Sequence, residues 1–208
     1  MADLLVDTQG VPANPAAGQG LYWFDTTGLI PCYKNQNGDI FARSENVAVA
    51  AQGPGFAADT YLTNSDILIP SFGLQPKTLF RWTISVAKTA AGAATPIYQV
   101  RIGANRTTAD TSRLTLTGLA QTAAADVALI NIYLTVRSNG AAGVMQGTCE
   151  LDHQLAITGF ANNNSSIVEG TGAAFDMTSL PGLFIGISIN GGASAAWTVT
   201  QARTEAKW

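Results

Sequence analysis

The chain has 208 residues, 47% of them hydrophobic and only 12% charged, with a formal net charge of −3 and a pI near 5.0. No basic cluster is present, which argues against a surface that tracks nucleic-acid phosphates. No apolar run is long enough to cross a bilayer as a helix. The two cysteines, Cys32 and Cys149, lie far apart and fit no metal or disulfide framework. Ala, Gly, Thr and Asn take the place of charge, so the surface is kept polar by hydroxyls and amides. Such a surface suits a protein packed against copies of itself or against other chains.

The opening residues, MADLLVDTQG, lack the charged and apolar regions of a secretory signal. Met1 to about Gly20 reads as an extended arm, because Pro12 and Pro15 exclude a helix. Short strand-like pieces follow at Leu21–Phe24, Leu29–Lys34 and Asp39–Arg43, separated by the turn sequences DTTG and NQNG. These pieces predict a small three-stranded meander. Its aromatics (Tyr22, Trp23, Phe24, Tyr33, Phe41) are too many for a free-standing sheet. The meander either docks on another protein or packs on the main domain. Residues 46–59 carry a Gly-Pro-Gly break and read as a linker, with a short helical turn allowed over Glu45–Ala51.

From Thr60 onward the pattern is strand after strand. Asp66–Ile69 is short and ends at Pro70. Thr78–Lys88 alternates, with Phe80, Trp82, Ile84 and Val86 on one face. Pro96–Gly103 groups Tyr98, Val100 and Ile102, and Arg113–Thr117 pairs Leu114 with Leu116. Asp126–Ser138 is the strictest alternation: Ile130, Ile132, Leu134 and Val136 face one way, Asn131, Tyr133, Thr135 and Arg137 the other. Val144–Ile157 sets Met145, Cys149, Leu151, His153 and Leu155 on one side. Short segments are predicted at Ser165–Glu169 and Ala174–Met177. Leu183–Asn190 and Ala195–Glu205 close the chain. Regular turn signals and the lack of an amphipathic helix predict an all-β fold, an antiparallel β-sandwich spanning residues 60–208, with jelly roll as the leading topology and an immunoglobulin-like sandwich, whose Cys-Trp-Cys pattern is absent, as the alternative. Its edge strands carry little charge to guard them, which favours an assembled state.

No chemistry is legible in the spacing. The only histidine, His153, falls on the side of Cys149 and Leu151, away from its neighbours Glu150 and Asp152. It reads as a satisfied core or interface residue. One histidine and two scattered cysteines form no metal set, and the glycine clusters match no phosphate loop. No catalytic residue, cofactor or metal is expected. Tyr98, Tyr133 and Trp208 are the aromatics read as exposed. Tyr98, Tyr133 and Arg137 are the expected subunit contacts.

Two stretches resemble virion proteins of tailed bacteriophages. The first is PANPAAGQGLYWFDTTGLIPCYKNQNGDIF, Pro12–Phe41. The second comprises Lys88–Gly103, Thr107–Gly118, Gln121–Gly147 and Ala195–Trp208, and resembles phage structural proteins with a C-terminal β-sandwich. The resemblance implies a virion component, made in the host bacterial cytoplasm and exposed on the particle as a homotrimer. It implies anchoring of residues 1–45 to other virion proteins, with Leu21, Tyr22, Trp23, Phe24, Tyr33 and Phe41 as the attachment residues. A head decoration protein or short head fibre is one form this takes. A tail fibre that grips host surface glycans is the other.

Overall fold

The computed structural model describes residues 11–90, 92–163, 165–192 and 197–208. The first ten residues of the expected arm, Asn164 of the ANNNSS loop, and Ala195 at the start of the last expected strand lie outside the described residues.

Fourteen strands form two antiparallel sheets, with no α-helix among the described residues. The chain begins with β1 (Gly20–Asp25), β2 (Ile30–Asn35) and β3 (Ile40–Val47), followed by the short strands β4 (Gln52–Gly55), β5 (Thr60–Tyr61) and β6 (Ile67–Leu68). Then come β7 (Leu79–Lys88), β8 (Ile97–Gly103), β9 (Thr111–Thr117) and β10 (Asp126–Ser138). A 3-10 turn at Gly140–Ala142 leads to β11 (Val144–His153), β12 (Ser165–Thr171), β13 (Phe184–Asn190) and β14 (Trp197–Lys207).

The nine-stranded sheet runs β1-β2-β3-β14-β7-β10-β11-β12, with β4 also on β14; the five-stranded sheet runs β5-β13-β8-β9, with β6 also on β13. The chain changes sheet at six of its thirteen connections. The β8–β9 hairpin, the β10–β12 meander, the N-terminal β1–β4 run and the short β5–β6 step stay within one sheet. The inner quartets are β3/β4-β14-β7-β10 and β5/β6-β13-β8-β9, which is the jelly-roll wiring of two Greek keys. β1–β2 extend the larger sheet at one edge, and β11–β12 extend it at the other.

The strands form where two-residue alternation is cleanest. Phe80, Trp82, Ile84 and Val86 of β7 and Ile130, Ile132, Leu134 and Val136 of β10 are all buried, and face the β8, β9 and β13 residues Tyr98, Val100, Ile102, Leu114, Leu116, Ile185, Ile187 and Ile189. Ser65 is a polar knot between the layers. Its carbonyl accepts from the Trp82 indole (2.7 Å) and the Thr204 hydroxyl (2.9 Å) of the larger sheet, while its hydroxyl accepts from Ile187 N–H (3.0 Å) of the smaller.

Four local expectations change, and the first is that the strand expected over Val144–Ile157 ends at His153. Glu45–Val47, allowed as a helical turn, continues β3, because Arg203 pairs with Val47 and Glu205 with Glu45. Part of the expected linker is strand: Gln52 and Gly55 pair with Val199 and Trp197. Ala174–Met177 holds only an isolated bridge, Phe175 to Gly143.

Candidate functional site

The meander divides its aromatics by alternation. Trp23, Ile30 and Cys32 point inward and are buried. Trp23 meets Phe72 edge-on at 6.5 Å, and the contact chain continues through Trp208 and Phe80 to Trp82. The Asp25 carboxylate accepts from Gly28 N–H and from the backbone and hydroxyl of Ser71, which fastens the DTTG turn to the main body. The meander is therefore packed on the sandwich through one face.

Its other face is open. Register places Tyr22 opposite Tyr33 and Tyr33 opposite Phe41. Their rings form a ladder with centroids 4.8 Å and 5.9 Å apart. Tyr22 is 49% exposed, Phe24 40% and Phe41 53%. Cross-strand aromatic pairs of this kind stabilise a sheet by roughly 0.2–1 kcal/mol each. That gain does not require three large rings to stand in water, so the ladder is a surface feature that the fold leaves unused. A groove of about 500 Å³ adjoins it, lined in part by Asp39, Phe41, Gln75, Lys77, Lys207 and Trp208. Lys77 occupies a positive φ of 77°, a strained setting for a non-glycine residue.

Of the residues expected at an attachment face, Tyr22, Phe24 and Phe41 stand on this surface and Tyr33 is half-buried within it. Leu21 is half-buried, and Trp23 is a core residue because its odd position in β1 shares the inward face. Tyr98, read as exposed, is buried between the sheets beside Val100 and Ile102, where burial pushes its hydroxyl well above its ordinary pKa. Trp208 is likewise buried, its indole N–H donating to Ser44 Oγ at 3.1 Å. Tyr133 and Arg137 lie on the outer face of β10, half-buried and exposed respectively. The groove-lining lysines were not legible, because Lys77 sits in a loop and Lys207 at the end of the last strand.

The cluster that most resembles acid–base chemistry among the described residues, around His153, is sealed. His153 Nδ1 meets Asp126 Oδ2 at 2.7 Å, with both side chains fully buried, and Nε2 faces the carbonyl oxygen of Asn163. Asp126 also accepts from the backbone N–H of Val127, Leu155 and Phe160. Neither ring nitrogen is left for a substrate, so the pair holds the 154–163 loop against the end of the sandwich. Lys88 stands opposite Asp126 in register and donates to the carbonyls of Gly92 (2.8 Å), Thr122 (2.6 Å) and Gly159 (3.3 Å). Burial lowers its pKa, and the nearby Asp126 carboxylate opposes that shift. A second buried cation, Arg101, is satisfied by Asp59, Gln99, Ser188 and the carbonyls of Thr108 and Asp110. No group of three or more metal-ligating side chains occurs among the described residues.

Cys32 in β2 and Cys149 in β11 are separated by five strand spacings, roughly 24 Å at ~4.8 Å per step, too far for a disulfide. Desolvation pushes both thiols up to about 12, aided at Cys32 by Asp25 and at Cys149 by Glu150. Neither is placed to act as a nucleophile. No protein-family model matches the chain, and no curated protein matches it.

Proposed function

We propose that this chain is a structural component of a tailed-bacteriophage particle, a head decoration protein or short head fibre held to other virion proteins by its N-terminal meander. One observation carries the reading: the Tyr22–Tyr33–Phe41 ladder with Phe24, exposed on a meander whose opposite face is locked into the core. Large rings on a rigid sheet make good anchors for a protein contact. Three further points support it. The resemblance of Pro12–Phe41 to phage virion proteins falls on this same meander. The jelly roll recurs in viral capsid domains, which is a fold-level analogy. The buried His153–Asp126 pair serves loop packing rather than catalysis. Copies of the chain assemble as a homotrimer in the form that the resemblance implies.

The attachment test must spare the core. Deleting residues 1–45 removes Trp23, Ile30 and Cys32 from the interior and most of β3 from β14, so a truncated form confounds docking with folding. The triple substitution Tyr22→Ser, Phe24→Ser and Phe41→Ser alters only exposed rings. The variant is expected to fold and to enter particles at least about tenfold less efficiently, equivalent to ~1.4 kcal/mol of docking free energy. Wild-type incorporation, measured by mass spectrometry of purified particles, contradicts the reading.

A second reading, recognition of a host surface glycan by a tail fibre, is favoured by the groove beside Phe41, where an exposed ring lies next to Asp39, Gln75 and two lysines. Adsorption of the isolated protein to host cells distinguishes it.

A further inference from the structure

No described residue covers the outer face of the nine-stranded sheet, and its side chains follow an ordered pattern. Register aligns one row across six strands: Val47 (β3), Arg203 (β14), Thr83 (β7), Asn131 (β10), Glu150 (β11) and Ile167 (β12). Read inward from β3, the row is apolar, cationic, polar. Read inward from β12, it is apolar, anionic, polar. The neighbouring row runs Glu45, Glu205, Arg81, Tyr133, Thr148 and Glu169.

Charge is segregated between the two halves of this face. On β3, β14 and β7 stand Arg43, Arg81, Arg203 and Lys207 against only Glu45 and Glu205. Arg203 pairs with both glutamates, at 2.7 Å to Glu205 and 3.3 Å to Glu45, which leaves Arg81 and Lys207 without an ion pair among the described residues. On β11 and β12 stand Glu150, Asp152 and Glu169, none of which has an ion pair among the described residues. Among the described residues no ion pair joins the two halves within one chain. Even Arg81 of β7 is two strand spacings from β11, roughly 10 Å at ~4.8 Å per step. Each half also ends in an exposed aliphatic residue, Val47 at 42% and Ile167 at 67%.

We infer that this face binds a second copy of the same chain, with the β3–β14–β7 half of one copy seated on the β11–β12 half of the next. Each half then supplies the charge that the other lacks, and Val47 and Ile167 are brought towards each other's copies. Between the halves, Thr83, Asn131 and Thr148 of the aligned rows carry no charge, and the one cation on β10, Arg137, stands at its far end. Such a contact is compatible with closure by a two-fold axis or in a small ring, because both halves lie on every copy. The inference rests on the assembled state proposed above and names the surface that forms it.

The test uses the full chain in solution, by sedimentation equilibrium with a thermal melt of every variant. The wild type is expected to self-associate, and 1 M salt, where the screening length falls to about 3 Å, is expected to weaken it. Glu150→Lys with Glu169→Lys, and separately Arg81→Glu with Lys207→Glu, are each expected to weaken association at least about tenfold, since like charges then face each other. Combining all four substitutions in one chain exchanges the halves and is expected to restore association. A wild type that stays monomeric, single-half variants that associate like the wild type, or a four-fold variant that is not restored while its melt is unchanged overturns the inference. A monomeric chain that still enters particles through its aromatic ladder overturns this inference alone and leaves the proposed function standing.

Discussion

Asp126→Ala is expected to lower the melting temperature by roughly 10 °C, from a loss of about 3–5 kcal/mol at ~2–4 °C per kcal/mol for a chain of this size. The carboxylate is the single acceptor that joins β10, β11 and the 154–163 loop. It meets His153 Nδ1 at 2.7 Å and accepts backbone N–H groups from Val127, Leu155 and Phe160. Alanine leaves a buried imidazole and three amide donors without it, and removes the carboxylate that acts on the buried Lys88 ammonium. Unpaired buried donors carry their full desolvation cost. Asp126→Asn keeps the shape and one acceptor oxygen, so its loss is expected to be smaller. Calorimetry measures both. A change of less than about 2 °C in the alanine variant, under ~1 kcal/mol, contradicts the assigned role.

Trp82→Ala is expected to cost about 3–5 kcal/mol, the usual range for removing a buried aromatic. Trp82 is fully buried, stacks on Phe80 at 5.7 Å and donates to the Ser65 carbonyl at 2.7 Å. A cavity opens where the two sheets meet, and Ser65 keeps only its Thr204 partner from the larger sheet. Domains are stable by only ~5–15 kcal/mol in total, so this variant is expected to be the less soluble of the two and to unfold at a markedly lower urea concentration. Trp82→Phe keeps a ring against Phe80 and leaves the Ser65 carbonyl bonded to Thr204, so it is expected to lose less than half as much. Equal midpoints for the alanine variant and the wild type contradict the placement of Trp82 at the centre of the core.

How much of this was legible in the sequence depends on how far each feature reaches along the chain. β7 alternates cleanly over Phe80–Val86 and β10 over Ile130–Arg137, so those buried faces follow from parity alone. β14 does not. A register shift between Val199 and Gln201 moves the inward face from Trp197 and Val199 to Ala202, Thr204 and Ala206. The extra residue reverses the period in mid-strand. β5 and β6 are two residues each and show no period at all.

The candidate surface was legible in part for the same reason. Tyr22, Tyr33 and Phe41 were visible as an excess of aromatics, and only the β1–β2–β3 register shows that they share a face while Trp23 does not. Tyr98 and Trp208 are buried where residue type alone points to exposure, and for Tyr98 the parity of β8 places it with Val100 and Ile102. The His153–Asp126 pair joins positions 27 residues apart, and neither strand carries a local sign of the other. The charge pattern of the large sheet needs six strands in register before it can be read.

An image reconstruction of the purified particle tests the proposed function most directly. It is expected to show this chain on the particle surface, with Tyr22, Phe24 and Phe41 buried against another virion protein and the sandwich projecting outward. A particle that lacks the chain, or one in which those three rings face solvent, contradicts it.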